Sequence, residues 1–186
     1  MTPARLAAVA VLVGGAILGG LLLRGGHSDP AVAHVAGEAI TREQLETAVD
    51  HFRTEAQREG IPFPDEDTAR FRALRNRLLG VLVYRAELSQ AARRLGISIS
   101  NVQVLRRLNA AKPAGEAPEE AADRFEYATV EAQILYERIY AKVTRRITAP
   151  TTAELAARRN TAMKHYVDRL ERETKVRYEP GYAPGP

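Results

Sequence analysis

The feature that most constrains this chain is a run of eighteen uncharged residues near its start, Leu6 to Leu23, built almost wholly from Ala, Val, Leu, Ile and Gly. As a helix rising about 1.5 Å per residue it spans about 27 Å, just enough to cross a bilayer. Arg5 and the free amine precede the run and Arg24 follows it, the layout of a signal peptide or an uncleaved signal anchor. The nearest A-x-A cleavage motif, Ala31-Val32-Ala33, lies ten residues past Leu23, and a cut there would remove half of an apparent strand. The expectation is therefore a signal anchor or transmembrane segment in residues 1–26, a helical domain in 27–178 and a Pro/Gly tail in 179–186. A protein secreted after cleavage is the alternative.

The body after the anchor reads as mainly helical. Val32 to Val35 is short and β-compatible, and Gly37-Glu38 supplies a turn. Thr41 with Gln44 forms a capping box for a helix whose Leu45, Val49, Phe52 and Ala56 keep one face apolar, until Gly60, Pro62 and Pro64 end it. A long helix follows over 68–95, with Phe71, Leu74, Leu78, Val81, Leu88, Ala92 and Leu95 stepping by three and four, interrupted by Arg85 and stopped by Gly96. Ser100 and Gln103 box a short helix. Another long helix over 119–147 carries a wide apolar surface, with Phe125, Ala128, Ala132, Leu135, Ile139 and Val143 in one stripe and Tyr136 and Tyr140 beside it, so it requires cover on more than one side. Thr151 and Glu154 cap a last helix, and Lys175 to Tyr178 reads as extended. The two strand-like pieces lie at opposite ends of the body and are expected to pair as a small two-stranded ribbon.

Charge is distributed in blocks. Residues 28–69 hold three Arg against ten acids, whereas 70–112 hold ten bases against Glu87 alone, so the two stretches attract one another. Cysteine is absent, which excludes disulfides, Cys-ligated metal and thiol nucleophiles. The four histidines are scattered, with no H-E-x-x-H, and neither a phosphate-cradling G-x-x-x-x-G-K-[ST] nor a G-x-S-x-G elbow occurs. Nothing supports an enzyme, a metal site or a cofactor.

Two resemblances compete for the same residues. The segment Ala91 to Leu108, with its Gly96 turn, resembles a DNA-binding helix-turn-helix in which Val102 and Leu105 pack the second helix on the first while Arg106 and Arg107 reach phosphates. The first helix is far longer than such units carry. The second resemblance covers more of the chain. Val32-Ala-His-Val-Ala-Gly37-Glu-Ala-Ile-Thr41 followed by Leu45 is similar to the opening of the SurA and PrsA family of extracytoplasmic chaperones, V-A-x-V-N-G-x-x-I-T-x-x-x-L, with Ala36 in place of the family's usual Asn. Leu78-Leu79-Gly-Val-Leu82-Val-Tyr-Arg-Ala86, leading through Ala91 to Gly96-Ile97-Ser-Ile99-Ser100, is similar to the family's next helix and cap. Tyr166 to Tyr178 resembles the C-terminal helix and strand that return to complete the module. The family's parvulin isomerase domain, which would follow near Ile147, has no counterpart here.

This resemblance implies a mainly α, irregular multi-helical peptide-binding domain like the N-terminal domain of SurA. It implies a membrane-anchored, ATP-independent holdase for unfolded or partly folded polypeptides, without isomerase activity. Candidate peptide-binding residues, lying off the main apolar stripes, are Tyr136 and Tyr140, then Leu79, Val83 and Tyr127. A membrane-tethered nucleic-acid binder and a structural subunit docking one fixed protein partner are the competing expectations.

Overall fold

The structure, a computed structural model, describes residues 29–111 and 124–182. The proposed anchor Leu6–Leu23 lies outside the described residues; among those described, no helix is long and apolar enough to cross a membrane. The chain enters as strands β1 (Ala31–Val35) and β2 (Glu38–Thr41), continues through helices α1 (Arg42–Arg58), α2 (Ala69–Arg94), α3 (Asn101–Ala111), α4 (Arg124–Thr144) and α5 (Thr152–Glu173), and ends in β3 (Val176–Tyr178).

The expected ribbon is a three-stranded antiparallel sheet in the order β2-β1-β3. The predicted pairing of the chain ends is present, with Ala33 opposite Tyr178 and Val35 opposite Val176. The correction is the third strand, Glu38–Thr41, which pairs with β1 before the chain enters α1 at Arg42. A register irregularity between Ala31 and Ala33 falls where the adjacent residues Val32 and Ala33 of this central strand are both buried.

The hairpin turns on Ala36 and Gly37, both at positive φ (49° and 90°), the two central positions of a type I′ turn. Glycine adopts that conformation freely, whereas alanine is strained in it, and the asparagine usual in the resembling family is better tolerated. Ala36→Asn is therefore expected to stabilise the protein by about 0.5–1 kcal/mol, read as a higher urea midpoint; an equal or lower midpoint would contradict the strained-turn account.

Caps set the helix limits where the sequence places them. Thr41 accepts from the Gln44 amide while the Gln44 side chain accepts from the Thr41 amide, closing the box. Thr151 accepts from the Glu154 amide at the start of α5. At the end of α2, Gly96 takes φ 64°, its N–H donates to the Arg93 carbonyl, and the Ile97 N–H donates to the Ala92 carbonyl at 2.8 Å, a Schellman closure.

α2 is the centre of the molecule. It packs against α1, α4, α5 and the sheet, and the main core gathers around it from Val32, Leu45, Val49, Leu79, Leu88, Ile139, Met163 and Leu170. A smaller core joins α3 to α4 through Val104, Leu108, Val130 and Ile134. α4 is thus covered on two sides, Ala128, Ala132, Leu135 and Ile139 facing the main core and Val130 and Ile134 the lesser one. The side chain of Phe125 lies outside the described residues.

Candidate functional site

The five residues predicted to bind peptide divide sharply in the structure. Leu79 and Val83 are 1% and 7% exposed and belong to the main core, so in this conformation they are covered. Tyr127 is half-buried against the α3–α4 core, and its hydroxyl donates to Asn101 Oδ1 at 2.9 Å, tying the start of α4 to α3. Tyr140 packs on the main core and donates to Asn160 Oδ1 of α5 at 3.0 Å. Tyr136 is 39% exposed, its ring centroid 6.4 Å from that of Tyr140 at an interplanar angle of 31°. Tyr136 and Tyr140 therefore form an aromatic pair at the surface of α4 whose outer ring meets solvent. Leu79 and Val83 are not part of that surface.

Other exposed apolar side chains escape the sequence reading. Val102 and Leu105 on α3 are 63% and 46% exposed, because α3 docks on α4 through Val104 and Leu108, one step along the helix. This corrects the helix-turn-helix expectation: the residues that would pack a recognition helix onto its partner face outward, and α3 lies on α4. Arg107, expected near phosphates, pairs with Glu137 instead.

A cleft of about 400 Å³ opens between the end of α1, the loop after it and the start of α2. Phe52, Ala56, Ile61, Phe63 and Leu74 supply its apolar wall, with Glu55 and Glu59 at the same lining. The Phe63 ring is fixed edge-on against Phe71 at 6.3 Å, and the Arg53 guanidinium sits 5.1 Å from its centroid. Gly60 at φ 67° ends α1, with the Ile61 N–H returning to the Ala56 carbonyl at 2.8 Å, which leaves Ile61 itself 54% exposed. The signal was the apolar alternation Ile61-Pro62-Phe63-Pro64, which sits in a loop that no periodic element accounts for.

The interior holds charge as well. Arg85, the interruption in the α2 stripe, is 9% exposed and faces Glu131 of α4 at 3.5 Å. Burial lowers Arg85 to about 10, against the opposing pull of Glu131 and Glu38, so it stays charged at neutral pH. The acidic and basic stretches meet where Arg93 bonds Glu38 at 3.0 Å. Glu87, also buried, lies within electrostatic reach of Tyr84 on its own helix, Glu171 on α5 and Tyr178 on β3. Burial and then the Glu171 carboxylate push Glu87 up to about 7. The folded protein thus holds a proton that the unfolded chain releases between the ordinary carboxylate range and about 7, and stability contributed there is lost as pH rises through that window. Glu87→Gln is expected to leave the urea midpoint nearly unchanged at about pH 4.5 and to raise it at about pH 8; the same offset at both pH values would contradict this assignment.

No group of His, Cys, Asp or Glu among the described residues has the arrangement of a metal site. The described body is mainly helical and closed by a small sheet, with a few apolar side chains left at its surface. The chain belongs to the SurA-like N-terminal domain family, whose model matches residues 5–134, from the arginine before the apolar run to the middle of α4. No curated protein matches the sequence.

Proposed function

We propose that the protein is a membrane-anchored, extracytoplasmic, ATP-independent holdase that captures unfolded polypeptide segments on its exposed apolar surfaces. The observation that carries this reading is that Ile61, Val102, Leu105 and Tyr136 stay exposed while the other large apolar side chains among the described residues are buried wholly or in part. Contiguous exposed apolar surface marks contact with another macromolecule, and Val102 and Leu105, three residues apart on α3, are neighbours in this sense. Family membership supplies the class of partner. Anchoring rests on Leu6–Leu23 and on a family match that includes that run. Retention in the membrane fraction through carbonate washing checks it, and a mature N-terminus at His34 would mean a secreted protein.

The triple substitution Val102→Ser, Leu105→Ser, Tyr136→Ser tests the surface. These positions are exposed, so the melting temperature should move by no more than about 2 °C. Suppression of aggregation of an unrelated unfolded protein should fall severalfold. Full suppression by the folded variant would remove these residues from the binding surface.

A further inference from the structure

The cleft beside Ile61 has a charge pattern that neither the fold nor the holdase reading requires. Residues 59–69 carry Glu59, Asp65, Glu66 and Asp67 and not a single base. Of the residues that line the cleft, Glu55 and Glu59 are acidic and none is Lys or Arg. Of the arginines nearby, Arg53 bonds Asp50 and Glu66, Arg58 bonds Glu55 at 2.7 Å, and Arg72, at the start of α2, donates to the Asp67 carbonyl at 3.5 Å and leaves the Asp67 carboxylate to other partners. An apolar wall of Phe52, Ile61 and Phe63 is thereby set beside a carboxylate-rich loop.

From this juxtaposition we infer that the α1–α2 cleft selects short apolar client segments flanked by Lys or Arg. The inference rests on the holdase reading and adds a substrate class to it. The apolar wall takes one or two side chains, since removal of apolar surface from water drives the contact without regard to sequence. The carboxylates then decide among apolar segments. Basic flanks are drawn toward Glu59, Asp65 and Asp67 and acidic flanks are repelled, a discrimination that acts mainly at the encounter and weakens as salt shortens the Debye length. The same Ile61 exposure that leaves the wall accessible makes it replaceable without disturbing the core.

The test uses the full chain and two fluorescent peptides with one core, Leu-Phe-Val-Phe-Leu, placed between paired arginines or between paired glutamates. Fluorescence anisotropy at low ionic strength should show the arginine peptide binding about tenfold tighter, with the gap closing at high salt. Ile61→Ser should weaken the arginine peptide, and Glu59→Lys with Asp67→Lys should abolish or reverse the preference while leaving the melt intact. Equal affinity for both peptides, or arginine-peptide binding untouched by Ile61→Ser, would overturn the inference. Aggregation suppression measured in parallel separates the two claims. If suppression persists without the charge preference, this cleft inference alone falls; if neither peptide binds and suppression is also absent, the holdase reading falls with it.

Discussion

Leu79→Ala should cost about 2–5 kcal/mol of unfolding free energy, which for a domain of this size lowers the melting temperature by roughly 10 °C. Leu79 is 1% exposed on α2, the helix against which α1, α4, α5 and the sheet assemble. Truncation there removes buried methyl groups and leaves a cavity that a helix held from several directions cannot close by collapsing. The same residue is one of the candidate peptide contacts, so the melt is also diagnostic. A side chain that lined an open groove would be solvated before and after substitution, and its loss would move stability little. An unchanged melting temperature would show that Leu79 is not part of a packed core.

Ending the chain at Thr174 should have an effect of similar size. The deletion removes β3 and with it the pairing that fixes β1 on that side. It also removes two flanking backbone bonds, from the Ala36 N–H to the Lys175 carbonyl at 2.9 Å and from the Glu179 N–H to the Val32 carbonyl at 3.0 Å. Val176, Tyr178 and Tyr182 pack on the main core, and Arg75 stacks 5.1 Å from the Tyr182 ring. Three half-buried side chains at about 1 kcal/mol each, with hydrogen bonds at about 1 kcal/mol each, total about 4–6 kcal/mol. A drop of roughly 10–20 °C is expected, together with aggregation through the bared edge of β1. A melt within about 2 °C of the intact protein would show that the sheet closes without its C-terminal strand.

Much of this architecture is local chemistry and so was legible. The Thr41–Gln44 and Thr151–Glu154 caps and the Gly96 stop depend on residues three to five apart, and each is found where those residues stand. The excess apolar width of α4 announced cover on more than one side, and α4 packs against α2, α3 and α5. Three features depend on tertiary placement and were not legible. The strand Glu38–Thr41 is short and carries two polar residues, and it becomes a strand because the Ala36-Gly37 turn brings it beside β1. Leu79 and Val83 sit off the main stripe of α2, and a stripe marks the buried side only for a helix with one wet face; α2 is enclosed from several directions, so its off-stripe positions are buried too. In α3, Val102, Val104, Leu105 and Leu108 ring a short helix, and nothing local tells which pair meets α4. The α1–α2 cleft was hidden for a related reason, because Ile61 and Phe63 lie in a loop and acquire their wall only when α2 folds against α1.

The central claim is that the exposed apolar surface holds unfolded chains by physical contact, and aggregation of a chemically unfolded, unrelated protein tests it most directly. At near-stoichiometric ratio and without ATP, the full chain should suppress light scattering, and raising salt should reduce that suppression only modestly, because apolar contact dominates and exposed charges are screened. Duplex DNA added in the same buffer should bind weakly, with an affinity that collapses as salt rises. Absence of suppression, together with one partner protein that co-purifies in fixed ratio or with sequence-specific DNA binding that survives physiological salt, would contradict the account.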